Sequence, residues 1–531
     1  MMTWSTIFRV ASPTDRTPVS AEAHPGGWLA SLVADAVTDG SAAARGTAVA
    51  AVSPELVERL LHGEFENRSA DLEVAAIGTG ASPGAAAGVV CLSSEEVMDA
   101  VDRDEPAILV CTETSPSDEP GMRLAEGIVT TRGGMASHTA VVARGWGLPA
   151  VVGVEDLRVN VDHATIGGHR LEPGDRVSLD GGTGEVMVGN LEVSSVEVTP
   201  ELATLLSWAD EIRIGRVGVR ANADTGADAE RARAFGAEGI GLCRTEHMFL
   251  GDRLPLVQRF IGADGGPDEA DSLAALGQAQ RADLAAVLTA MAPHPVTVRL
   301  LDAPLHEFAG GTGSTEWAEH NPMLGIRGVR LAVLREDLYR MQTRAVLGAL
   351  ADVRAAGCTP RAEIMVPMVT EPAELALVRS WLDEEIAASS ESIQVGTMIE
   401  TPRAALAAGM VAPHADFFSF GTNDLTQLVF GFSRDDVERK IMTPYLELGL
   451  LEANPFETLD ATVVAPLVAS AVTAGRAVRP ELPVGVCGEH GGDPTSIRYL
   501  VAAGVDYVSC SPFRVPVARL AVAQALLDIE G

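Results

Sequence analysis

The sequence predicts a two-part α/β chain, a compact α/β domain followed by a TIM (β/α)8 barrel, and three observations predict it. From Ala81 to about Asn190, short apolar runs alternate with Gly-rich turns. From Val217 onward, eight short apolar runs alternate with amphipathic helical stretches, the mark of βα units. Almost every one of those runs ends in polar or charged residues, and a barrel of parallel strands gathers such ends at one mouth.

Composition sets the outer bounds. The 531 residues carry 39 Lys+Arg and 73 Asp+Glu, a formal net charge of −34. At roughly 100–200 residues per domain, that length allows two to four domains. Apolar residues at 47% and charged residues at 21% are the composition of a globular chain rather than a disordered one. Such acidity argues against nucleic-acid and membrane partners, which need a basic footprint. No apolar run reaches the roughly 18 residues of a spanning helix, and the N-terminus lacks a basic flank ahead of an apolar stretch. The cysteines, Cys91, Cys111, Cys243, Cys358, Cys487 and Cys510, show no CxxC spacing. Reduced thiols and a cytoplasmic location are therefore expected. Lys440 is the single lysine and follows Arg439, so the phosphate-cradling GxxxxGK[ST] loop is absent from these residues.

Taken in order, residues 1–75 read as a short N-terminal segment, partly irregular. It carries a short helix around Trp28–Val37 and another near 52–65, with Pro54 at its start and Leu56, Leu60 and Leu61 on one face. Arg68–Gly80 reads as a linker. The first domain, 76–191, takes strands at Gly88–Leu92, Ala107–Cys111, Gly127–Thr130, Ala150–Val154 and Arg176–Leu179, with a helix opening at Ser137. The acidic stretch 192–213 reads as a second linker, and 214–531 as the barrel. Its strands are expected at Val217–Asn222, Gly239–Glu246, Val296–Asp302, Ile364–Val369, Val395–Glu400, Phe417–Asp424, Val484–Glu489 and Tyr507–Ser511.

Four groups of residues carry chemistry. Gly133-Gly134 run into a helix with His138 in its first turn, where unpaired N–H groups and the helix dipole favour an anion. An imidazole placed there can take a phosphoryl group, or it can be an ordinary residue of a capping region. Glu400 ends one strand and Asn423-Asp424 the next; paired carboxylates on neighbouring strands suit Mg²⁺, although each alone could merely cap a helix. Arg244, Arg299 and Arg327 offer guanidinium forks for phosphate and carboxylate oxygens. Arg299 stands inside an apolar strand, where an unpaired charge is costly and a buried partner or ligand is expected. Cys487, at a strand end before glycines, could protonate carbon in a closed site, or it could be an inert small hydrophobe.

The motifs that hold these residues resemble those of a known family. TTRGGMASHTAVVARG (130–145) resembles the phosphohistidine signature of the phosphoenolpyruvate-utilising enzymes. GIGLCRTEHMF, TVRLLDAPLHEF, NPMLGIRGVRL, MIETPRAAL, FFSFGTNDLTQLVFGFSRDD, VGVCGEHGGDP and DYVSCSPFRVPVARLA resemble the pyruvate, phosphate dikinases within that family. The resemblance runs from about Val52 to the C-terminus. It implies a swivelling phosphohistidine domain ahead of the barrel, with His138 as phosphoryl carrier and Glu400 and Asp424 as Mg²⁺ ligands. Arg244, Arg299 and Arg327 would hold phosphoenolpyruvate, Thr422 and Asn423 would contact substrate, and Cys487 would be the acid/base at the methylene carbon. Two departures stand out. The dikinases carry an ATP-grasp domain ahead of the phosphohistidine domain, and only about 50 residues precede the matching region here, so a separate nucleotide-binding or phosphoryl-acceptor protein is expected. Ala136 stands where the family commonly has a regulatory threonine, so that switch cannot operate, although Ser137 remains.

The function expected is therefore Mg²⁺-dependent phosphoryl transfer between phosphoenolpyruvate and His138, releasing pyruvate, by a homodimer joined through the barrel. An enzyme I-like phosphotransferase would need a helical carrier-docking insertion for which residues 1–75 look too short. A non-catalytic phosphoenolpyruvate or pyruvate sensor would be favoured by loss of a site residue, and none is lost.

Overall fold

The structure, a computed structural model, describes residues 25–65, 74–114, 118–134, 137–194, 198–249, 253–261, 266–303, 308, 319 and 321–530. Residues 1–24, the first part of the linker read at Arg68–Gly80, and Ala136 lie outside them; the described part of that stretch is strand rather than linker, Val74–Ile77 and the start of Thr79–Ser82. The described residues divide into two units. One runs to Arg213 and includes the C-terminal stretch from Arg519; the other is Ile214–Ala518.

Among the described residues, three helices open the first unit: α1 (Pro25–Asp39), α2 (Ala42–Ala51) and α3 (Pro54–Leu60). The sequence pattern marks α1 too short and does not mark α2, because an alanine-rich helix owes its stability to propensity and shows no clear apolar stripe. Serine caps set two of the starts: Ser41 accepts from the Ala44 N–H and Ser53 from the Leu56 N–H.

The sheet that follows has eight strands: β1 (Val74–Ile77), β2 (Thr79–Ser82), β3 (Ala85–Cys91), β4 (Ala107–Cys111), β5 (Gly127–Thr130) and β6 (Ala150–Val152), with two later ones. Between them, β7 (Leu157–Val159), β8 (Ala164–Ile166) and β9 (His169–Leu171) form a small antiparallel sheet. The two later strands are β10 (Arg176–Asp180) and β11 (Glu185–Val188), giving the order β1-β11-β10-β3-β4-β5-β6-β2. The run β3 to β6 is parallel. Parallel strands covered on both faces read as unbroken apolar runs, and their alternate side chains build two cores. Ile108, Val110, Val129 and Val151 face one way. Leu109, Ile128, Ala150 and Val152 face the other, packed with Ala140 and Ala143 of α4 (His138–Trp146). The stretch 192–213 contains a 14-residue helix, α5 (Pro200–Arg213), which buries Leu202, Leu205, Leu206 and Trp208.

The second unit is a closed barrel of eight parallel strands in sequence order, as the sequence predicts. They are β12 (Gly218–Asn222), β13 (Ile240–Arg244), β14 (Pro295–Arg299), β15 (Arg361–Val366), β16 (Gln394–Ile399), β17 (Phe418–Phe420), β18 (Val484–Val486) and β19 (Tyr507–Cys510). Among the outer helices are α6 (Pro267–Met291), α7 (Glu336–Ala355) and α8 (Thr422–Phe430); α9 (Val515–Glu530) closes the chain.

The sixth strand corrects the sequence reading. Thr422, Asn423 and Asp424 do not end a strand; they form the first turn of α8. Gly421 makes the switch, since its N–H still bonds the Ile399 carbonyl at 3.2 Å while its carbonyl accepts the Leu425 N–H at 3.0 Å. One peptide plane thus closes the sheet and the next opens a helix.

Candidate active site

The barrel gathers a chain of buried charges at the ends of β13, β14 and β16. Arg299 is 7% exposed; it pairs with Glu246 and, at 3.2 Å, with Asp302. Arg327, in the turn before the helix at Val329, donates to Asp302 through Nε at 2.9 Å and Nη2 at 2.8 Å. Its Nη1 reaches Asp424 at 3.2 Å. Burial works against the charge on both guanidiniums, yet their carboxylate partners outweigh it and hold both protonated.

Glu400 is fully buried directly after β16. Its Oε1 accepts the Met368 N–H at 2.6 Å. Met368 is a buried non-glycine residue at φ +58°, and backbone in that region persists only where its surroundings over-determine it. Burial first, then the neighbouring Asp302 and Asp424 carboxylates, push the Glu400 carboxyl well above its ordinary value. Burial also raises Asp424, with Arg327 opposing.

Three features fit a divalent cation. Asp302, Glu400 and Asp424 each offer a carboxylate oxygen, all within 4.8 Å of one another. Glu400 Oε2 is buried without a hydrogen-bond partner among the described residues, and a Cβ on Gly421 would come within 2.7 Å of it. Four carboxylates, Glu246, Asp302, Glu400 and Asp424, face two guanidiniums, Arg299 and Arg327, an excess of two negative charges that a divalent ion would balance. Oxygen ligands of this kind suit Mg²⁺.

Around this centre sit the remaining barrel residues singled out in the sequence. Arg244 ends β13; its N–H and Nη1 bond Asp224 at 2.6 and 3.3 Å, and His247 Nδ1 bonds the same carboxylate at 2.8 Å. Burial would raise Asp224, but Arg244 and His247 together hold it below the usual carboxylate range. Asn423 Oδ1 accepts the Glu489 N–H at 3.0 Å, and Glu489 is held in turn by both Nη atoms of Arg434 at 2.9 Å. Thr422 is buried, its hydroxyl 2.8 Å from His490 Nδ1. His490 Nε2 lies 2.9 Å from the Pro455 carbonyl, which can only accept, so a neutral ring there takes its hydroxyl bond from Thr422. Cys487 follows β18, packed with Leu242, Met365, Met398 and Phe417; its thiol donates to the Phe420 carbonyl at 3.7 Å. Burial pushes that thiol up to about 11.

His138 belongs to the first unit, as the first residue of α4. Ser137 caps this helix by accepting the Ala140 N–H at 3.3 Å. Gly133, at φ +118°, lets the chain turn tightly into it, since a Cβ there would stand 2.9 Å from Ser137 Oγ.

Pattern reading brings Arg299, Arg327, Glu400 and Asp424 into one cluster, takes Glu246 and Asp302 only as polar strand ends without a role, and leaves out Met368. Asp302 carried a usable signal: it stands one turn of chain after Arg299 in the same strand-end motif. Met368 carried none, because its part is played by a backbone N–H.

Residues 200–527 match the family described as PEP-utilising enzyme, PEP-binding domain, and residues 103–184 match PEP-utilising enzyme, mobile domain. The first match alone spans more than half of the chain, which therefore belongs to the phosphoenolpyruvate (PEP)-utilising enzymes. Within them it is similar to pyruvate, phosphate dikinase 1, chloroplastic, of Arabidopsis thaliana, at 47% identity over 515 residues, 91% of this chain and 53% of that protein. It is likewise similar to the chloroplastic pyruvate, phosphate dikinase of Flaveria pringlei, at 46% over 529 residues, 93% of this chain and 55% of that one. The chain thus spans about half the length of the curated relatives it matches. A solved citrate lyase of Burkholderia xenovorans LB400 covers 53% of this chain and 75% of its own at 16% identity, with a TM-score of 0.29, too slight a likeness to carry an argument. No helix among the described residues is long and apolar enough to cross a membrane.

Proposed function

We propose that this chain performs the phosphoenolpyruvate half-reaction of a dikinase-like phosphotransferase, moving the phosphoryl group between phosphoenolpyruvate and His138 with pyruvate as co-product. The observation that carries this reading is the barrel mouth, where arginines for an anionic substrate meet three carboxylates with an unpartnered oxygen between them.

Arg244, Arg299 and Arg327 bind and orient the phosphate and carboxylate of the substrate through paired N–H donors. Mg²⁺, held by Glu400 and Asp424 with Asp302 beside them, would supply positive charge opposite the substrate oxygens. The imidazole of His138 attacks phosphorus as the phosphorus–oxygen bond to the enol breaks. Transfer of this kind is largely dissociative, so the protein contributes position and charge rather than covalent chemistry. Cys487, kept protonated by its burial, gives its proton to the methylene carbon of the enolate, and pyruvate leaves. Once phosphorylated, His138 must deliver the group to a second site, so the domain that carries it is proposed to swing, hinged between β11 and α5.

Incubation with phosphorus-labelled phosphoenolpyruvate and Mg²⁺ should place acid-labile label on the protein and release pyruvate in equal amount; no label would overturn the reading. Glu400→Gln and Asp424→Asn should each raise the Mg²⁺ concentration for half-maximal labelling by roughly 10- to 100-fold, the range that even supporting residues of metal sites command. Wild-type Mg²⁺ dependence in both variants would leave these carboxylates a structural part only, Glu400 as the acceptor of the Met368 N–H and Asp424 as a partner of Arg327.

A further inference from the structure

Beyond Arg299 the chain leaves the β14 ladder yet still has to carry Asp302 to the barrel mouth. The Leu300 N–H bonds the Met365 carbonyl at 3.0 Å. At Leu301 the partners change from backbone to side chains of the outer helix α7. Gln342 Oε1 accepts the Leu301 N–H at 2.9 Å, and the Tyr339 hydroxyl donates to the Leu301 carbonyl at 2.9 Å. The other end of the same amide donates to Thr245 Oγ1 at 2.9 Å and to Gln280 Oε1 of α6 at 3.4 Å. Gln280 Nε2 lies 3.5 Å from the Thr245 carbonyl. Thr245 is the residue between Arg244 and Glu246, and Glu246 is the ion partner of Arg299.

All four side chains, Thr245, Gln280, Tyr339 and Gln342, are buried. The Gln342 amide has one orientation, because the Leu301 N–H can only donate and so must face the oxygen. Carboxamides are costly inside a protein unless every group is bonded, and a leucine would fill the same space without that cost. What the amides add is direction: they tie two strand ends together in a register that apolar packing does not specify.

We propose that Gln342 is a positioning residue. With Tyr339 it holds Leu301 against Thr245, and so sets the spacing of Arg244, Glu246, Arg299 and Asp302. This rests on the reading of the mouth as a phosphoenolpyruvate and pyruvate site. Misplacement of reacting groups by about 1 Å can cost on the order of 100-fold in rate, so loosening this clamp acts on turnover as well as on binding.

The test follows exchange of pyruvate methyl protons with deuterated water in the presence of Mg²⁺, together with a thermal melt of each protein. Gln342→Leu is expected to raise KM for pyruvate and lower kcat, changing kcat/KM by about tenfold or more. Gln342→Glu, which keeps an acceptor for the Leu301 N–H, should fall between it and wild type. Tyr339→Phe removes only a hydroxyl, keeps the packing, and supplies the answer should Gln342→Leu not fold. Variants that melt at lower temperature with unchanged KM and kcat overturn the inference and leave the proposed function standing. A wild-type protein that neither exchanges pyruvate protons nor takes label from phosphoenolpyruvate overturns both.

Discussion

Replacement of His138 by asparagine is expected to abolish the acid-labile label completely, while phosphoenolpyruvate still binds the barrel. Asparagine keeps a polar side chain of similar reach but has no ring nitrogen to attack phosphorus. The position is the first residue of α4, capped by Ser137 rather than by the histidine, and asparagine is well accepted at helix starts. The fold should therefore survive, which circular dichroism would establish. Binding is read by calorimetry with phosphoenolpyruvate and Mg²⁺, because every other residue proposed to contact that substrate lies in the other unit. Proton exchange of pyruvate should persist for the same reason. Label that remained on the variant would put the nucleophile at another residue and end the assignment.

Cys487→Ala is expected to slow exchange of the pyruvate methyl protons by about 100- to 10,000-fold, the usual span of a general acid/base. Replacing a buried thiol by a methyl removes little volume from the cluster with Leu242, Met365, Met398 and Phe417. The stability cost should stay near ~1 kcal/mol, and binding of pyruvate should be kept. The pH profile of the wild-type protein gives a second check. Burial, with Glu400 adding to it and Arg299 and Arg244 opposing, pushes the thiol up to about 11. The thiolate that would take a proton from pyruvate therefore grows with pH throughout the neutral range. Exchange should keep rising through pH 8–9, with no plateau near ~8.5 where an ordinary thiol titrates. An undiminished rate in Cys487→Ala would make this residue part of the barrel packing and nothing more.

How much of this was legible depended on how local the signal was. β14 reads clearly because Val296 and Val298, followed by Leu300 and Leu301, make a short apolar run that fits a strand buried along its whole length. The sixth strand misleads because Thr422-Asn423-Asp424 read as one more polar strand end, whereas the backbone turns helical directly after Gly421. Arg299 drew attention as a charge within an apolar run, whereas its partner Glu246 looks like any polar residue after a strand. The helix α2 escaped notice because alanine propensity leaves no periodic trace.

The eight βα units, the turn into α4, and the arginines and carboxylates worth singling out were legible in the sequence alone, since each is a periodicity or a motif within a few consecutive residues. The tertiary structure alone decided which carboxylates meet. Arg327 and Asp424 are 97 positions apart, and Gln342 reaches Leu301 across 41. Such contacts exist because barrel closure brings strand ends together and fixes their radial order, and neither is a property of any single segment. The same closure makes the mouth dry, and dryness raises Glu400 and Cys487 above their ordinary values; desolvation is the work of every surrounding element at once, so no local pattern encodes it.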